Sequence, residues 1–545
     1  MTATQASQPA PGEASGEATG SRSVSDRART LGARLASPLP TDKWWGWAGP
    51  LLVTLFGGFL RFDRLSVPNA VSFDETYYVK DAWSLLHHGV ELCTSSNSNL
   101  NTMIAQQHDT NIFAMCTGGG YGEYVVMPPL GKWLIAIGEW LFGLNSFGWR
   151  FSTAVFGTLA ILLLCRIVRR MTRSTLLGCI AGFLLSLDGL EFVLSRTGIL
   201  DIFLMFFVLA AFGCLVIDRD VSRARLADLI ASQGEGDGSG PRLGSRKWRI
   251  LCGFCMGCAC AVKWDGIWFL LGFFLLCLAW DAGARRAAGL PGYWRGTLVG
   301  DGKWLPVTLG AIPLVTYLAT WTGWFVTSEG YDRQYAAQHG VHTPVISALY
   351  SLFEYSKSMW QFDSTLHAYQ PYMSQPWGWI VIARPIAYYY ECWSNVAGTV
   401  ACPKGQVGYS QEVLAIGNPL IWWASVPALL FCLGWWLTRR DWRAGAALFG
   451  LAVGWLPWFP FVSRTKFYYY ALDFLPFMII AIVLCIGLII GPAKASSMRR
   501  AIGASIVGTY LLAVLLMFRY FYPILAGSII PYSSWLSHMW FSSWI

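Results

Sequence analysis

Charge is what this 545-residue chain has least of: Asp, Glu, Lys and Arg make up 13% of it, about half of what a soluble domain carries. With 54% hydrophobic residues, such a chain cannot give three or four globular domains a polar surface, so a soluble multidomain enzyme is excluded. Other absences narrow the class. No apolar core with a small-residue cleavage site precedes the first long hydrophobic stretch, so no signal peptide is expected. The Gly-rich segment CTGGGYGEY lacks the Lys-Ser/Thr of a P-loop. His87, His88, His108, His339, His342 and His367 show no zincin or His-x-x-x-His spacing, so no metal site is expected. There is no internal repeat of the transporter kind.

What is there is a series of apolar stretches. Eleven of them, of about 16 to 22 residues, lie at 44–60, 150–168, 175–190, 201–217, 249–263, 265–281, 304–325, 416–437, 445–462, 472–491 and 501–520, and each can cross the hydrocarbon core as a helix. The stretch 249–281 is read as two crossings because Lys263, Asp265 and Gly266 interrupt it. Residues 1–43, rich in Ala, Ser, Gly, Pro and Glu, read as a disordered cytoplasmic tail. Eleven crossings from an inside start put segments 166–173, 218–249, 281–303, 438–443 and 491–500 in the cytoplasm. With the tail, these hold 26 of the 40 Lys and Arg residues, as the positive-inside rule requires. The net charge of +9 is therefore a marker of topology and implies no nucleic-acid partner. The expected architecture is an all-α integral membrane protein with two long extracytoplasmic loops. A membrane core at 44–325 carries the first, 61–149, and 326–415 is the second. Helices and an outer tail follow at 416–545.

Fourteen cysteines would suggest a disulfide scaffold in a small secreted chain, but ten of these lie in or beside apolar stretches. Cys252, Cys255, Cys258 and Cys260 mimic iron–sulfur spacing; on one helix they point in different directions, so they read as small residues at helix contacts. The outer loops hold the other four, and an oxidising exterior permits Cys93–Cys116 and Cys392–Cys402 bridges.

The strongest chemical signal is VSFDETYYVKDAW, just after the first crossing. Adjacent Asp74 and Glu75 raise each other's proton affinity, and a carboxylate that remains a base near neutral pH can deprotonate a hydroxyl nucleophile. The same pair also reads as an N-cap and a first-turn Glu of the following helix. A second signal is cationic: Arg150, Arg196, Lys263 and Arg464 stand near outer helix ends, where together they could hold a phosphate and singly could snorkel to headgroups. Lys466 and Asp201 lie beside them in sequence.

FDE after the first crossing, PPLGK (Pro128 to Lys132), FGWR, LSLDGLEFVLSRTGILD, KWDG and SRTKFYYYALDFLPF resemble, in order, the motifs of the protein O-mannosyltransferase family over about residues 44–520. The resemblance implies a GT-C type glycosyltransferase with eleven crossings in a bacterial plasma membrane, amino terminus inside and carboxyl terminus outside. It would transfer mannose from polyprenyl-phosphate-mannose to Ser/Thr hydroxyls of secreted polypeptides, with inversion and without metal or other cofactor. Asp74 would be the general base and Glu75 would position base or acceptor. Arg150 would be a phosphate ligand, and Arg196, Lys263 and Arg464 would bind donor phosphate or sugar. The bilayer is an implied partner and the secretion channel a candidate neighbour. Met127 and Tyr469 stand where many relatives have His, and the second loop shows no β-trefoil MIR module. Two competing readings remain: a GT-C enzyme glycosylating a cell-wall glycan or lipid, and a transporter without chemistry.

Overall fold

The computed structural model describes residues 31–35, 38–107, 112–117, 119–393, 408–492 and 494–545. Most of the expected tail, His108 and Cys402 lie outside the described residues, and with Cys402 the expected Cys392–Cys402 pairing. The principal helices are α1 (Trp45–Phe62), α2 (Glu75–His88), α3 (Leu130–Phe142), α4 (Ser146–Thr172), α5 (Thr175–Ser186), α6 (Gly189–Leu194), α7 (Asp201–Gln233), α8 (Lys247–Val262) and α9 (Gly266–Ala287). They are followed by α10 (Ile312–Thr320), α11 (Pro344–Thr365), α12 (Pro419–Arg439), α13 (Trp442–Trp455), α14 (Leu475–Ile490) and α15 (Ser497–Leu525).

Every expected crossing is helical. Among the described residues six helices are long and apolar enough to cross a membrane: α4, α7, α9, α12, Tyr468–Ile490 and α15. Shorter or less apolar helices, α1, α5, α8, α10 and α13, fill the remaining stretches. The interruption at 263–265 separates α8 from α9. Glycine is required at 266, since a Cβ there would come within 2.9 Å of the α8 backbone at Ala259 and Cys260. Helix starts carry their own caps: Asn145 accepts from Phe147 N and Gly148 N at α4, and Asp188 accepts from Glu191 N at α6. The second Asp188 oxygen accepts from Trp422 Nε1 at 2.7 Å and Asn418 N at 3.1 Å. One buried carboxylate thereby joins the start of α6 to the start of α12.

The expectation of an all-α chain needs correction. Strands β1 (Ile386–Trp393), β2 (Tyr409–Ala415) and β3 (Ile529–Pro531) form an antiparallel sheet in that order. The reason is visible in IAYYYECW, which is rich in aromatic residues that favour a strand, whereas YSQEVLA becomes a strand by pairing with it. Residues after β3 turn back on the segment before β1: Ser543 Oγ donates to Ala383 O at 2.7 Å, Trp544 Nε1 to Ile382 O at 2.8 Å, and Arg384 Nη1 to Ser543 O at 2.7 Å.

In the first outer loop Cys93 and Cys116 form the expected disulfide, next to backbone bridges between Leu92 and Gly122 and between Thr94 and Phe113. The loop packs Val90, Leu92 and Val125 with Trp321, Trp324, Leu352, Tyr355 and Met359. Cys252, Cys255, Cys258 and Cys260 are buried on α8, as expected of helix-contact residues.

The chain divides into two compact units. The features above that concern the site belong to the larger, which comprises 40–216, 248–274 and 306–545. In the smaller, Leu226, Ala227, Ile230, Leu243, Ala284 and Leu290 make an apolar cluster. Arg246 bridges Asp218 and Asp281, and Arg285 pairs with Asp301 while donating to Ser239 O and Pro241 O. These ties give shape to a Gly-rich segment whose one large aliphatic side chain is Leu243.

Candidate active site

Helix α2 begins at Glu75, and Asp74 occupies its N-cap position without capping it: no side-chain hydrogen bond reaches the helix N–H groups. The Asp74 carboxylate instead faces a cavity of about 450 Å³, and Oδ2 accepts from the Tyr469 hydroxyl at 3.4 Å. Phe73, Tyr78, Lys263, Asp363, Arg464 and Tyr470 are among the other residues lining this cavity. Burial pushes the Asp74 carboxyl up to about 7; the Asp201 carboxylate adds to this, while Lys263 and the Tyr469 hydroxyl oppose it. A carboxylate so placed is half ionised near neutral pH and more basic than an exposed one, which suits removal of a hydroxyl proton.

Glu75 points the other way and is fully buried. Its Oε1 accepts from Arg150 Nε and Gly198 N, both at 2.8 Å; Oε2 accepts from Arg150 Nη2 at 2.9 Å and Ser72 N at 2.8 Å. Arg150 spends the rest of its guanidinium on Pro68 O at 2.8 Å and Ala70 O at 2.9 Å. The pair is a two-pronged clamp that fixes the 65–75 turn against α4 and the turn before α7. Neither residue lines the cavity. Arg150, expected as a phosphate ligand, has its donors taken up by buried acceptors, and Glu75, expected to position base or acceptor, sits where it anchors the turn that carries Asp74.

Arg196, expected at the donor phosphate or sugar, is likewise occupied by backbone. Its guanidinium donates to Arg61 O at 2.8 Å, Asp63 O at 2.5 Å and Arg64 O at 2.9 Å. A cation is thus placed on the open carbonyls at the end of α1, where the helix dipole favours it.

Lys263 and Arg464 do line the cavity. Lys263 Nζ lies 3.0 Å from Asp201 Oδ1 and 3.6 Å from Asp265 Oδ2, and 4.1 Å from the centre of the Tyr470 ring. Arg464 donates through Nε to Asp363 O at 2.5 Å, and its Nη2 is 3.6 Å from Asp363 Oδ1. Its Nη1 is buried with no hydrogen-bond partner among the described residues. Arg464 and Asp363 also line a second cavity of about 180 Å³, whose other walls are mostly apolar: Trp264, Ile267, Trp268, Pro457, Trp458 and Phe461. A buried guanidinium with a spare donor between a polar chamber and an apolar groove is the arrangement that an anionic head with an apolar tail requires.

The first loop adds a group that sequence reading missed. Lys132, from PPLGK, is fully buried with Nζ 2.5 Å from Glu91 Oε1 and 3.6 Å from Asp81 Oδ2. Asp81, two turns along α2 from Asp74, shares the cavity wall with Glu123, and burial pushes its carboxyl up to about 8 against the pull of Lys132. The i to i+7 spacing from Asp74 was the available signal.

The chain matches two family models: dolichyl-phosphate-mannose-protein mannosyltransferase over residues 51–321, and the C-terminal four-TMM region of protein-O-mannosyltransferase over 348–544. It is 38% identical over 518 residues to a polyprenol-phosphate-mannose–protein mannosyltransferase of Mycolicibacterium smegmatis, covering 93% of this chain and 94% of that one. The Corynebacterium glutamicum protein of the same name is 33% identical over 524 residues, covering 93% and 95%. Among solved structures, the Saccharomyces cerevisiae protein O-mannosyltransferase Pmt1-Pmt2 complex bound to the sugar donor superposes with a TM-score of 0.67 at 15% identity, covering 95% of this chain and 94% of that one. At that identity the likeness is one of fold, the helical GT-C fold.

Proposed function

Because the chain belongs to the protein O-mannosyltransferase family, we propose that it transfers mannose from polyprenyl-phosphate-mannose to Ser/Thr hydroxyls of polypeptides at the outer face of the membrane. The observation that carries the reading is Arg464: a buried guanidinium whose Nη1 has no hydrogen-bond partner among the described residues, lining both the cavity that holds Asp74 and an apolar groove. The donor's polyprenyl chain lies in the groove, where each buried methylene contributes about 0.8 kcal/mol. Its phosphate meets Arg464, and mannose extends toward Asp74.

Asp74 takes the proton of the acceptor hydroxyl as that oxygen attacks the anomeric carbon from the side opposite the phosphate. The bond from that carbon to the phosphate oxygen breaks, the configuration inverts, and polyprenyl phosphate leaves with its new charge facing Arg464 and Lys263. Cations already in place stabilise that developing charge without reorganisation, and the proposed step draws on no metal or other cofactor. Lys263 acts with Asp201: together they set the charge around Asp74. Glu75, Arg150 and Arg196 hold the turn from which Asp74 projects.

The protein is a multi-pass membrane protein. Eleven crossings, with the amino terminus inside, the carboxyl terminus outside and the site facing outward from a bacterial plasma membrane, are supported by the helices at every expected stretch and by the basic loops. The Cys93–Cys116 bridge is consistent with an oxidising outer side. Acceptors are then segments of secreted or membrane polypeptides, with the secretion channel as a natural neighbour. The reading is tested with purified protein in liposomes, given polyprenyl-phosphate mannose carrying labelled sugar and a Ser/Thr-rich peptide. Label appears on the peptide with wild-type protein and not with Asp74→Asn. Label on a glycan or lipid acceptor alone would select the competing GT-C reading.

A further inference from the structure

The second outer loop reaches the base from behind. Strands β1 and β2 pair in register from Tyr389 to Trp393, but the pairing slips between Ala387 and Tyr389, which leaves Tyr388 as the bulged residue. A bulge bends its strand and re-aims the extra side chain away from the ladder's alternation. Here the Tyr388 ring lies face to face with Phe73, centroids 4.7 Å apart and planes within 5°. Phe467 and Tyr469 approach Phe73 edge-on, at 6.1 and 6.0 Å.

Phe73 is the residue immediately before Asp74, and its φ is 50°. A bulky side chain in the left-handed region is unfavourable and persists only where the surroundings over-determine it. This turn delivers the chain into α2 with the Asp74 carboxylate facing the cavity instead of the helix N–H groups. The aromatic enclosure is what over-determines it, and among the described residues Tyr388 supplies the only flat-on face.

We propose that Tyr388 is a positioning residue for the transfer reaction: by stacking on Phe73 it holds the left-handed turn that directs the Asp74 carboxylate at the acceptor hydroxyl. The ring performs this role and the hydroxyl does not. Tyr388 Oη is buried and has no hydrogen-bond partner among the described residues, so it contributes nothing to the stack and carries an unmet desolvation cost. The proposal rests on Asp74 being the base.

The test compares Tyr388→Phe, Tyr388→His and Tyr388→Leu with Phe73→Leu and the Phe73→Leu/Tyr388→Leu double variant, in the full chain reconstituted in liposomes. For Tyr388→Phe, kcat stays within about twofold of wild type and the unfolding temperature is unchanged or higher. For Tyr388→Leu, kcat falls about tenfold or more while the KM for polyprenyl-phosphate mannose moves less than about twofold, the mark of a lost transition-state contribution. Tyr388→His, with a smaller flat ring, falls between them and supplies the ranking if the leucine variant does not accumulate. The double variant is no slower than about the slower single, because both changes break one stack. Loss of activity in Tyr388→Phe, an unchanged kcat in Tyr388→Leu, or a double variant whose losses multiply would each overturn the proposal. Asp74→Asn run in parallel separates the two claims: full transfer by that variant removes the base assignment itself, whatever the Tyr388 series shows.

Discussion

Arg150 and Arg196, on the wall behind the base, and Arg464, across the cavity from it, look alike in sequence: each is a cation near the outer end of an expected crossing. The fold gives them opposite tasks. Behind the base, guanidinium donors are consumed by Glu75 and by carbonyls from Pro68, Ala70, Arg61, Asp63 and Arg64. Across the cavity, Arg464 pairs with Asp363, and its Nη1 has no hydrogen-bond partner among the described residues. A buried cation whose donors are taken up by backbone holds that backbone in place, whereas a spare donor on a cavity wall is available to an anion.

The largest effect expected is at Asp74. Asp74→Asn removes the base, and transfer falls by about 100-fold to 10,000-fold with little change in the unfolding temperature. Next is Arg150→Ala, which leaves Glu75 buried without its partner and costs about 3–5 kcal/mol of stability. It is read as a drop in unfolding temperature or in folded yield, and a folded variant with weakened donor binding alone would erase the contrast with Arg464. Arg464→Gln removes a charged hydrogen bond to phosphate, so the donor KM rises roughly 10- to 100-fold while thermal unfolding barely moves. Arg196→Gln gives the reverse pattern, a lower unfolding temperature with an unchanged donor KM. The smallest effect is in pH dependence. With the Asp74 carboxyl raised to about 7 by burial and Asp201, kcat falls as pH drops through that value, because the protonated acid cannot accept the acceptor's proton. Asp201→Asn removes a negative neighbour and leaves Lys263 less neutralised, and both changes favour the ionised form. The midpoint of the pH–rate profile therefore moves to lower pH, and a move upward would contradict the proposed charge balance.

Asp74 was legible in the sequence because two adjacent carboxylates after a crossing are costly and need a reason. That the apolar runs form helices was legible from their length, and the break at Lys263–Asp265 from charge within an apolar run. What separates Arg464 from Arg150 was not legible, since it depends on which carbonyls come within reach after residues far apart in the chain have packed. Glu75 illustrates the same limit: beside Asp74 in sequence, it leaves the helix start in a different direction and finds Arg150, 75 residues away. Tyr388 gave no signal beyond a run of three tyrosines, because a bulge is a property of the pairing of two strands and not of either one.

The clasp between residues 529–545 and the segment leading into β1 has a consequence for biogenesis. These residues emerge from the ribosome only after α15, so the last edge of the sheet, and with it the full support behind Tyr388, forms after every membrane helix described has been synthesised. Asp74, near the opposite end of the chain, is synthesised early and acquires its final setting late. A chain interrupted before residue 529 would carry every charged residue of the site and lack the third strand of the sheet and the contacts of Ser543 and Trp544 with the segment before β1.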